Sequence, residues 1–243
     1  MILGIIPARY ASTRFPGKLL ADLNGKPVLQ WTWERASGAK SLDRLLIAAA
    51  DEKISQAART FGAEVIDIFK NYSSGSDRIA EAVRQLEGNG ESIDIVVNIQ
   101  GDEPLLDPSS LDATINRLHE DLEASVATPV TPLRSIDEYT DPSVVKVVVD
   151  ACGYALYFSR APIPHGWNDS DPIAFRHIGL YAYRKDALLK FTAMPPSRLE
   201  ITEKLEQLRL LEHGFKIATV VVEQVGRGVD KEEDLEKIRR ITV

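Results

Sequence analysis

The chain has 243 residues and a formal net charge of -7, with 44% apolar and 27% charged residues. This length and composition are typical of an α/β protein, and we expect a single domain over residues 1–243. An acidic chain without a basic block argues against a nucleic-acid partner. One cysteine excludes a disulfide framework, and no apolar run is long enough for membrane insertion. We therefore predict a cytoplasmic protein.

The first two thirds of the chain alternate apolar runs with amphipathic stretches. This alternation is typical of βαβ units and predicts an α/β fold, in which helices flank a mostly parallel central sheet. The predicted strands cover residues 2–6, 44–49, 64–68, 94–99 and 124–128. The predicted helices cover residues 28–39, 53–61 and 77–86.

The second half changes to β-branched and aromatic alternation. A β-rich excursion is predicted over about residues 130–185, with a hairpin at 144–159 and a strand at 176–183. A long helix is predicted over 199–213, where Ser197 and Glu200 have the spacing of a capping box. The remaining predicted elements are a strand at 216–222 and a helix at 231–240.

The loop after the first strand carries three cations, Arg9, Arg14 and Lys18, although the whole chain is acidic. The Ser12 hydroxyl lies between them. Arginine and lysine side chains at the carboxyl end of a first strand suit a triphosphate, whose leaving pyrophosphate must be neutralised. The alternative is a solvated basic loop with no ligand.

Asp102 follows a buried apolar run and the turn residues Gln100 and Gly101. Such a run delivers a carboxylate to the edge of the sheet where open α/β folds bind ligands. We predict that Asp102 holds Mg²⁺ against a nucleotide. The alternative is an aspartate that caps its own turn.

Asp230 lies just before the last predicted helix, after the stretch Gly226-Arg227-Gly228. On spacing alone, capping of the helix by Asp230 with Glu233 is the stronger interpretation. A ligand role is the alternative at this point.

The small residues of the stretch 72–78 open another helix. Free N–H groups near Ser74 and Gly75, with Arg78 on the first turn, could contact a base or a phosphate. The alternative is that Ser76 is an ordinary N-cap.

Strand alternation places His177 and Tyr181 on one face, and helical spacing places Glu206 and Gln207 on one flank. These polar groups could bind a ligand. The alternatives are a histidine packed in the core and a solvated helix flank.

Taken together, these motifs resemble the 3-deoxy-manno-octulosonate (Kdo) cytidylyltransferase family. The resemblance covers nearly the whole chain, and its more specific part is the second half. The matching segments are IPAR with STR and PGK (6–18), SGSDR (74–78), QGDEP (100–104), VKVV (145–148), GYALYFSR (153–160), RHIG (176–179), LEQLR (205–209) and GVD with EDL (228–235).

The resemblance implies a Rossmann-like nucleotidyltransferase fold and CMP transfer from CTP to Kdo with Mg²⁺, on the way to lipopolysaccharide. It also implies a homodimer to which the hairpin region contributes. Carried onto this sequence, it makes Arg14, Lys18, Asp102 and Asp230 the catalytic residues, with both aspartates as metal ligands. The implied nucleotide contacts are Ala8, Arg9, Ser12, Arg14, Lys18, Ser74, Gly75, Arg78 and Gln100. The implied sugar contacts are Gln100, Arg160, His177, Tyr181, Glu206 and Gln207, with Arg160 on the carboxylate.

Two departures from the family pattern leave alternatives open. Ala50 stands where the family usually has threonine, and the loop between Pro164 and Arg176 is short. The same reaction on 8-amino-Kdo or another sugar acid is therefore an alternative. A CMP-sialate or methylerythritol cytidylyltransferase, or a nucleotide-binding protein without turnover, would share only part of these motifs.

Overall fold

The structure is a computed structural model that describes residues 1–12, 15–166, 174–223 and 228–241. Within these residues, no helix is both long and apolar enough to cross a membrane. The strands are β1 (Ile2–Ala8), β2 (Asp22–Leu23), β3 (Lys26–Pro27), β4 (Arg44–Ala49), β5 (Glu64–Asp67), β6 (Ile95–Asn98), β7 (Val126–Pro132), β8 (Lys146–Val149), β9 (Ala155–Ser159), β10 (Phe175–His177), β11 (Tyr181–Arg184) and β12 (Ile217–Val221). The helices are α1 (Val28–Ala36), α2 (Glu52–Thr60), α3 (Gly75–Gly88), α4 (Pro108–Glu120), α5 (Ile136–Thr140), α6 (Lys185–Ala193), α7 (Arg198–Glu203), α8 (Leu208–Glu212) and α9 (Glu232–Arg239).

The chain divides into two compact units. Unit 1 comprises residues 1–112 with the C-terminal segment from 225, and unit 2 comprises residues 113–224. The predicted excursion at about 130–185 falls inside unit 2.

Unit 1 contains four parallel strands in the order β5, β4, β1, β6. Ile5 and Ile6 are both 0% exposed, although neighbouring strand residues point to opposite faces. Both faces of the sheet are therefore covered, which is why these strands are continuous apolar runs in the sequence. The predicted strand at 44–49 is confirmed residue for residue as β4.

Unit 2 is built around β7. This strand pairs in parallel with β12 and in antiparallel with β10 and β11. β8 and β9 form the predicted antiparallel hairpin, and β8 also pairs with β10. The hairpin prediction is confirmed.

The prediction of one strand over 176–183 is wrong, because the chain turns between β10 and β11. The Leu180 amide donates to the Ile178 carbonyl at 2.7 Å, which closes a tight turn. The Thr128 hydroxyl contacts both carbonyls of this turn, at 3.2 Å for Ile178 and 2.8 Å for Leu180. These tertiary contacts compete with the local strand preference.

The prediction of one helix over 199–213 is also wrong. Lys204 adopts a left-handed conformation with φ of 56°, which ends α7, and α8 begins at Leu208. The capping box at the start of α7 is confirmed, since Ser197 and Glu200 exchange hydrogen bonds of 3.0 and 3.3 Å. Glu206 and Gln207 therefore lie in the turn between two helices.

Candidate active site

A cavity of about 250 Å³ lies in unit 1 beside the carboxyl end of β1 and the start of α3. Open α/β sheets bind their ligands at this edge. The lining residues are Pro7, Arg9, Ala11, Ser12, Lys18, Leu19, Tyr72, Ser73, Ser74, Gly75, Arg78, Gln100, Gly101 and Asp102. Most of the predicted nucleotide contacts are thus brought together from well-separated parts of the sequence. Arg14 lies outside the described residues.

The loop after β1 is held in place by Asp51. The Tyr10 amide donates to Asp51 Oδ2 at 2.7 Å, and Asp51 Oδ1 caps α2 by accepting from the Ile54 amide at 3.1 Å. One carboxylate therefore fixes both the loop and the start of the helix. Ala8 is still a strand residue, whose carbonyl accepts from the Ala50 amide at 2.8 Å, and it does not line the cavity.

Arg78 is a buried cation on the first turn of α3, with 5% of its surface exposed. Its Nη2 donates to the Lys70 carbonyl at 3.4 Å, while its Nε has no hydrogen-bond partner in the described part of the chain. Burial lowers the pKa of this guanidinium, and the positive charge of Arg9 lowers it further. Because both arginines line the cavity, an anionic or polar ligand there would relieve their repulsion.

The start of α3 forms another part of the cavity wall. Ser74 Oγ accepts from the Asp77 amide at 3.1 Å and is the N-cap. The alternative that Ser76 caps this helix is wrong, because Ser76 is buried inside the first turn. A Cβ on Gly75 would lie 3.2 Å from Pro7 Cγ, so glycine permits this close packing. The first N–H groups of a helix lack helical partners and suit a phosphate or a carbonyl.

Lys18 lies between the two predicted metal ligands. Its Nζ donates to Asp102 Oδ2 and to the Val229 carbonyl at 3.1 Å, and it lies 3.7 Å from Asp230 Oδ1. The Val229 amide in turn donates to the Asp102 carbonyl at 2.8 Å. A backbone hydrogen bond and one ammonium thus bring together two aspartates from distant parts of the sequence.

Gly228 packs against the turn that carries Asp102. A Cβ at Gly228 would lie 2.9 Å from Glu103 Oε1 and 3.6 Å from the Asp102 carbonyl oxygen. The backbone distance is ordinary van der Waals contact, so a side chain here would mainly require the Glu103 carboxylate to move.

The donor set fits Mg²⁺. A hard cation prefers carboxylate oxygens and completes its shell with water and phosphate oxygens. Asp102 and Asp230 both lie within ion-pair distance of one cation, the Lys18 ammonium, so the two carboxylates could together bind a metal ion that displaces the ammonium. The described residues contain no cluster of three or more carboxylate, histidine or cysteine ligands. Protein atoms would thus supply only part of the coordination shell.

Asp230 is not the cap of the last helix, so the capping interpretation is wrong. The N-cap of α9 is Lys231, one residue later. The carboxylate at the third helical position belongs to Asp234, whose Oδ2 accepts from the Lys231 amide at 3.0 Å. The predicted spacing between the N-cap and an acidic third residue is present, but the helix begins one residue further along the chain.

Unit 2 places His177 and Tyr181 in a row of aromatic rings. The His177 ring lies 5.0 Å from Phe158 and 5.3 Å from Tyr181, between ring centres. His177 keeps some surface exposure, yet burial of its ring lowers the pKa to about 3. Burial also raises the pKa of Tyr181, with smaller contributions from Tyr183 and Glu206. Both side chains are therefore neutral at physiological pH.

Thr128 determines the tautomer of His177. Its Oγ1 lies 3.1 Å from His177 Nε2 and 2.8 Å from the Leu180 carbonyl oxygen. A carbonyl only accepts, so the hydroxyl proton goes to the carbonyl and Oγ1 accepts from Nε2–H. We assign the Nε2–H tautomer on this basis, which leaves Nδ1 as an acceptor.

Gln207 is a buried amide with unused donor capacity. It is 5% exposed, and its Nε2 has no hydrogen-bond partner among the described residues. A buried donor without a partner costs about 1–3 kcal/mol, so a ligand that accepts from it would gain stability. Glu206, beside it, is half-buried and interacts electrostatically with Tyr181.

Arg160 is fixed at the end of β9 by Glu203. The Arg160 amide donates to Glu203 Oε2 at 2.9 Å, and Arg160 Nε donates to the Glu203 carbonyl at 3.0 Å. The guanidinium Nη1 donates to the Pro142 carbonyl at 3.0 Å. In unit 2, the structure thus holds the predicted partner of the sugar carboxylate in a defined orientation.

Several residues of these two regions were not predicted from the sequence. Tyr72 and Ser73 lie in the noted stretch 72–78, but no role followed from their residue types alone. Asp51 is the N-cap signal before α2, and the pattern did not reveal that it also binds the first loop. Thr128 and Glu203 act through contacts with residues distant in sequence, which no local pattern reveals.

Comparison with known proteins gives a consistent result. A family model described as cytidylyltransferase matches residues 3–217. The 3-deoxy-manno-octulosonate cytidylyltransferase of Syntrophobacter fumaroxidans is 48% identical over 240 residues, which cover 98% of this chain and 95% of the relative. That of Syntrophotalea carbinolica is 47% identical over 246 residues, which cover 98% and 96%.

Solved structures agree with the sequence comparison. A CMP:2-keto-3-deoxy-manno-octonic acid synthetase complexed with CTP aligns with a TM-score of 0.92 and 38% identity, covering 99% of this chain and 98% of that one. A 4-diphosphocytidyl-2C-methyl-D-erythritol synthase from Anaerococcus prevotii aligns with a TM-score of 0.64 and 15% identity, which shows the fold alone. The predicted nucleotidyltransferase fold is confirmed. Since close relatives match over nearly their whole length, the chain belongs to the 3-deoxy-manno-octulosonate cytidylyltransferase family.

Proposed function

We propose that this enzyme transfers CMP from CTP to the anomeric 2-hydroxyl of Kdo, giving CMP-Kdo and pyrophosphate for lipopolysaccharide biosynthesis. One observation carries the proposal: the Lys18 ammonium lies between the Asp102 and Asp230 carboxylates beside a cavity lined by further cations. This arrangement suits a metal-bound triphosphate. Family membership supports Kdo as the acceptor.

The nucleotide would occupy the cavity of unit 1. Arg9 and Arg78 offer positive charge and an unpaired buried donor, which suit the phosphates or the carbonyl group of cytosine. Lys18, with Arg14, would neutralise the leaving pyrophosphate. Further nucleotide contacts are proposed for Ala8, Ser12, Ser74, Gly75 and Gln100.

Asp102 and Asp230 would hold Mg²⁺. When bound, the ion supplies charge neutralisation at the phosphates and lowers the pKa of the attacking hydroxyl. The carboxylates contribute by fixing this charge at one edge of the sheet. Protein side chains then need to position the reactants, because phosphoryl transfer depends mainly on alignment and electrostatics.

The sugar acid would be recognised by neutral polar groups and by one arginine. His177 Nδ1 can accept a hydrogen bond, and Gln207 Nε2 can donate one. Arg160 is the proposed partner of the carboxylate, a planar match for a guanidinium. The remaining proposed sugar contacts are Gln100, Tyr181 and Glu206.

The transfer is an in-line substitution at the α-phosphorus. The anomeric oxygen of Kdo forms the new bond to this phosphorus, while the bond to the bridging oxygen of the β-phosphate breaks. Pyrophosphate leaves with the electron pair, and the hydroxyl proton passes to solvent. Positive charge near the leaving group stabilises this step.

As part of the proposal, the enzyme works in the cytoplasm as a homodimer formed through the hairpin of β8 and β9. An observation that supports the dimer is Leu156, an apolar side chain on β9 that is 61% exposed in the single chain. Large exposed apolar side chains favour an interface. Sedimentation of the wild type and of L156E tests this: a monomeric wild type would contradict it.

The reaction is tested by measuring pyrophosphate release with CTP and Mg²⁺ in the presence of Kdo, 8-amino-Kdo or sialic acid. We expect release with Kdo at a kcat/KM at least about tenfold above that for each other acid, a discrimination typical of hydrogen-bonded recognition. Preference for 8-amino-Kdo would replace the acceptor but keep the reaction class. No release with any acid, despite CTP binding, would contradict the proposed activity.

A further inference from the structure

Unit 2 contains a lysine whose ammonium is completely buried. Lys146, on β8, is 0% exposed. Its Nζ donates to the carbonyls of Asp141, Val144 and Arg160, at 2.8, 2.7 and 2.6 Å. An ammonium has three N–H donors, so its hydrogen-bonding capacity is used completely.

The partners of this ammonium are neutral. Its hydrogen bonds all go to carbonyl oxygens, and no carboxylate lies within ion-pair distance among the described residues. Burial lowers the pKa of Lys146; the carboxylates of Asp141 and Glu203 oppose this shift without an ion-pair contact, and the positive charge of Arg160 adds to it. Removing a charge from water without a direct counter-ion is among the costliest arrangements in a protein. A functional role for the positive charge of Lys146 would explain why this costly arrangement is present.

The ammonium lies next to the supports of Arg160. It joins the segment 141–144 to the end of β9, and this segment supplies the Pro142 carbonyl that accepts from Arg160 Nη1 at 3.0 Å. It also binds the carbonyl of Arg160 itself. On the other side, Glu203 binds the Arg160 amide and Nε. Lys146 thus fixes one of the two surfaces that orient the guanidinium.

We infer that Lys146 is a positioning residue for recognition of the sugar-acid carboxylate. It orients Arg160 through the segment 141–144, and it adds a second, buried positive charge that interacts electrostatically with the guanidinium. This inference rests on the proposed function, in which Arg160 binds the carboxylate. A charge in a poorly polarisable interior acts on its neighbours more strongly than one in water, so a ligand carboxylate bound to Arg160 is stabilised by Lys146 as well.

The test compares K146M with the wild type for binding of Kdo and of its uncharged carboxamide, by calorimetry with Mg²⁺ and a CTP analogue whose α–β bridge is a methylene. Methionine keeps the length of the side chain and removes its charge. We expect the Kd for Kdo to rise about tenfold, and the Kd values for the carboxamide and for the CTP analogue to change less than about twofold. K216M removes an exposed lysine of the same unit and should change none of them.

The outcomes separate the inference from the function on which it rests. Equal weakening of Kdo and carboxamide binding by K146M would leave only a structural role and overturn the inference. Unchanged Kdo binding by K146M, with binding weakened in R160M, would also overturn it but keep the proposed role of Arg160. Unchanged Kdo binding in R160M would overturn both. If K146M fails to fold, K146Q, which retains an N–H donor, is measured under the same criteria.

Discussion

The proposed nucleotide site of unit 1 and the proposed sugar-acid site of unit 2 use charge in opposite ways. Around Lys18, Asp102 and Asp230, ionised groups are partly exposed and neutralise one another. Around His177 and Tyr181, the titratable side chains are buried, and burial holds both in the neutral form.

This difference matches the two recognition problems. When a metal-bound triphosphate binds, its charged groups replace existing ion-pair partners in the site. In a site of paired ions, each charged side chain can change its partner without being left as an isolated charge. A sugar carries hydroxyl groups that differ in position, and fixed neutral donors and acceptors reject an analogue that leaves them unpaired. In the proposed function, the first region supplies affinity and rate, and the second supplies the choice of acceptor.

The largest expected effect comes from removing one carboxylate from the group of ion-paired side chains Lys18, Asp102 and Asp230. D102N should lower kcat by on the order of 100- to 1000-fold, because a neutral amide removes a metal ligand and leaves Lys18 without its closest partner. The Tm should change by less than about 3 °C, since partly exposed ion pairs contribute little stability. Pyrophosphate release and thermal unfolding measure the two quantities. The control is D22N, which changes an exposed carboxylate of the same unit and should leave kcat unchanged. A fully active D102N would exclude Asp102 from the metal site.

A second test concerns Arg78, a cavity residue that is buried, unlike the partly exposed charged groups around Lys18. R78M should raise the KM for CTP by about 30-fold, because the Arg78 Nε–H has no hydrogen-bond partner among the described residues and is available to the nucleotide. The Tm should stay the same or rise, since a poorly paired buried charge is removed. Steady-state kinetics with varied CTP provides the measurement. The control is R84M, an exposed arginine of the same helix, and a lower Tm without any change in KM would show that Arg78 is structural.

The smallest expected effect concerns His177, one of the two side chains that burial keeps neutral. Because the pKa of His177 is about 3 in the folded enzyme and 6.5 in the unfolded chain, its contribution to stability is complete above pH 6.5 and is lost towards pH 3. Between pH 6.5 and 5, the wild type should lose about 1.6 kcal/mol more unfolding free energy than H177N. Urea unfolding across this range measures it. H119N changes an exposed histidine of α4 and should retain the wild-type slope. Parallel slopes for H177N and the wild type would contradict a buried neutral imidazole.

The sequence predicts unit 1 better than unit 2 for a physical reason. A parallel strand covered on both faces requires a continuous apolar run, and β4 was predicted to the residue from such a run. The long helix predicted over 199–213 failed because Lys204 takes a left-handed conformation, while Arg209 pairs with Glu200 across the break. The predicted strand over 176–183 failed because the Thr128 hydroxyl supports a turn. These are tertiary contacts.

The residues of the candidate site likewise divide into those that local sequence patterns reveal and those that depend on tertiary contacts. Arg9, Lys18 and Asp102 lie in the segments that follow the apolar strands β1 and β6, so local pattern was enough to select them. Asp230 was selected only by family resemblance, since spacing alone favoured a helix cap. Lys146 was not selected, because nothing in the sequence distinguishes a buried lysine of a β-rich segment from an exposed one.

The hydrogen bond between the Val229 amide and the Asp102 carbonyl has a consequence for biosynthesis of the enzyme. This bond joins residues 127 positions apart in the sequence, so Asp230 can reach Lys18 only after the chain has been synthesised beyond residue 230. A nascent chain that has already folded its first strands would therefore lack half of its proposed metal ligands. In the proposed function, such a chain would have no CTP-consuming activity until the segment that carries Asp230 is added.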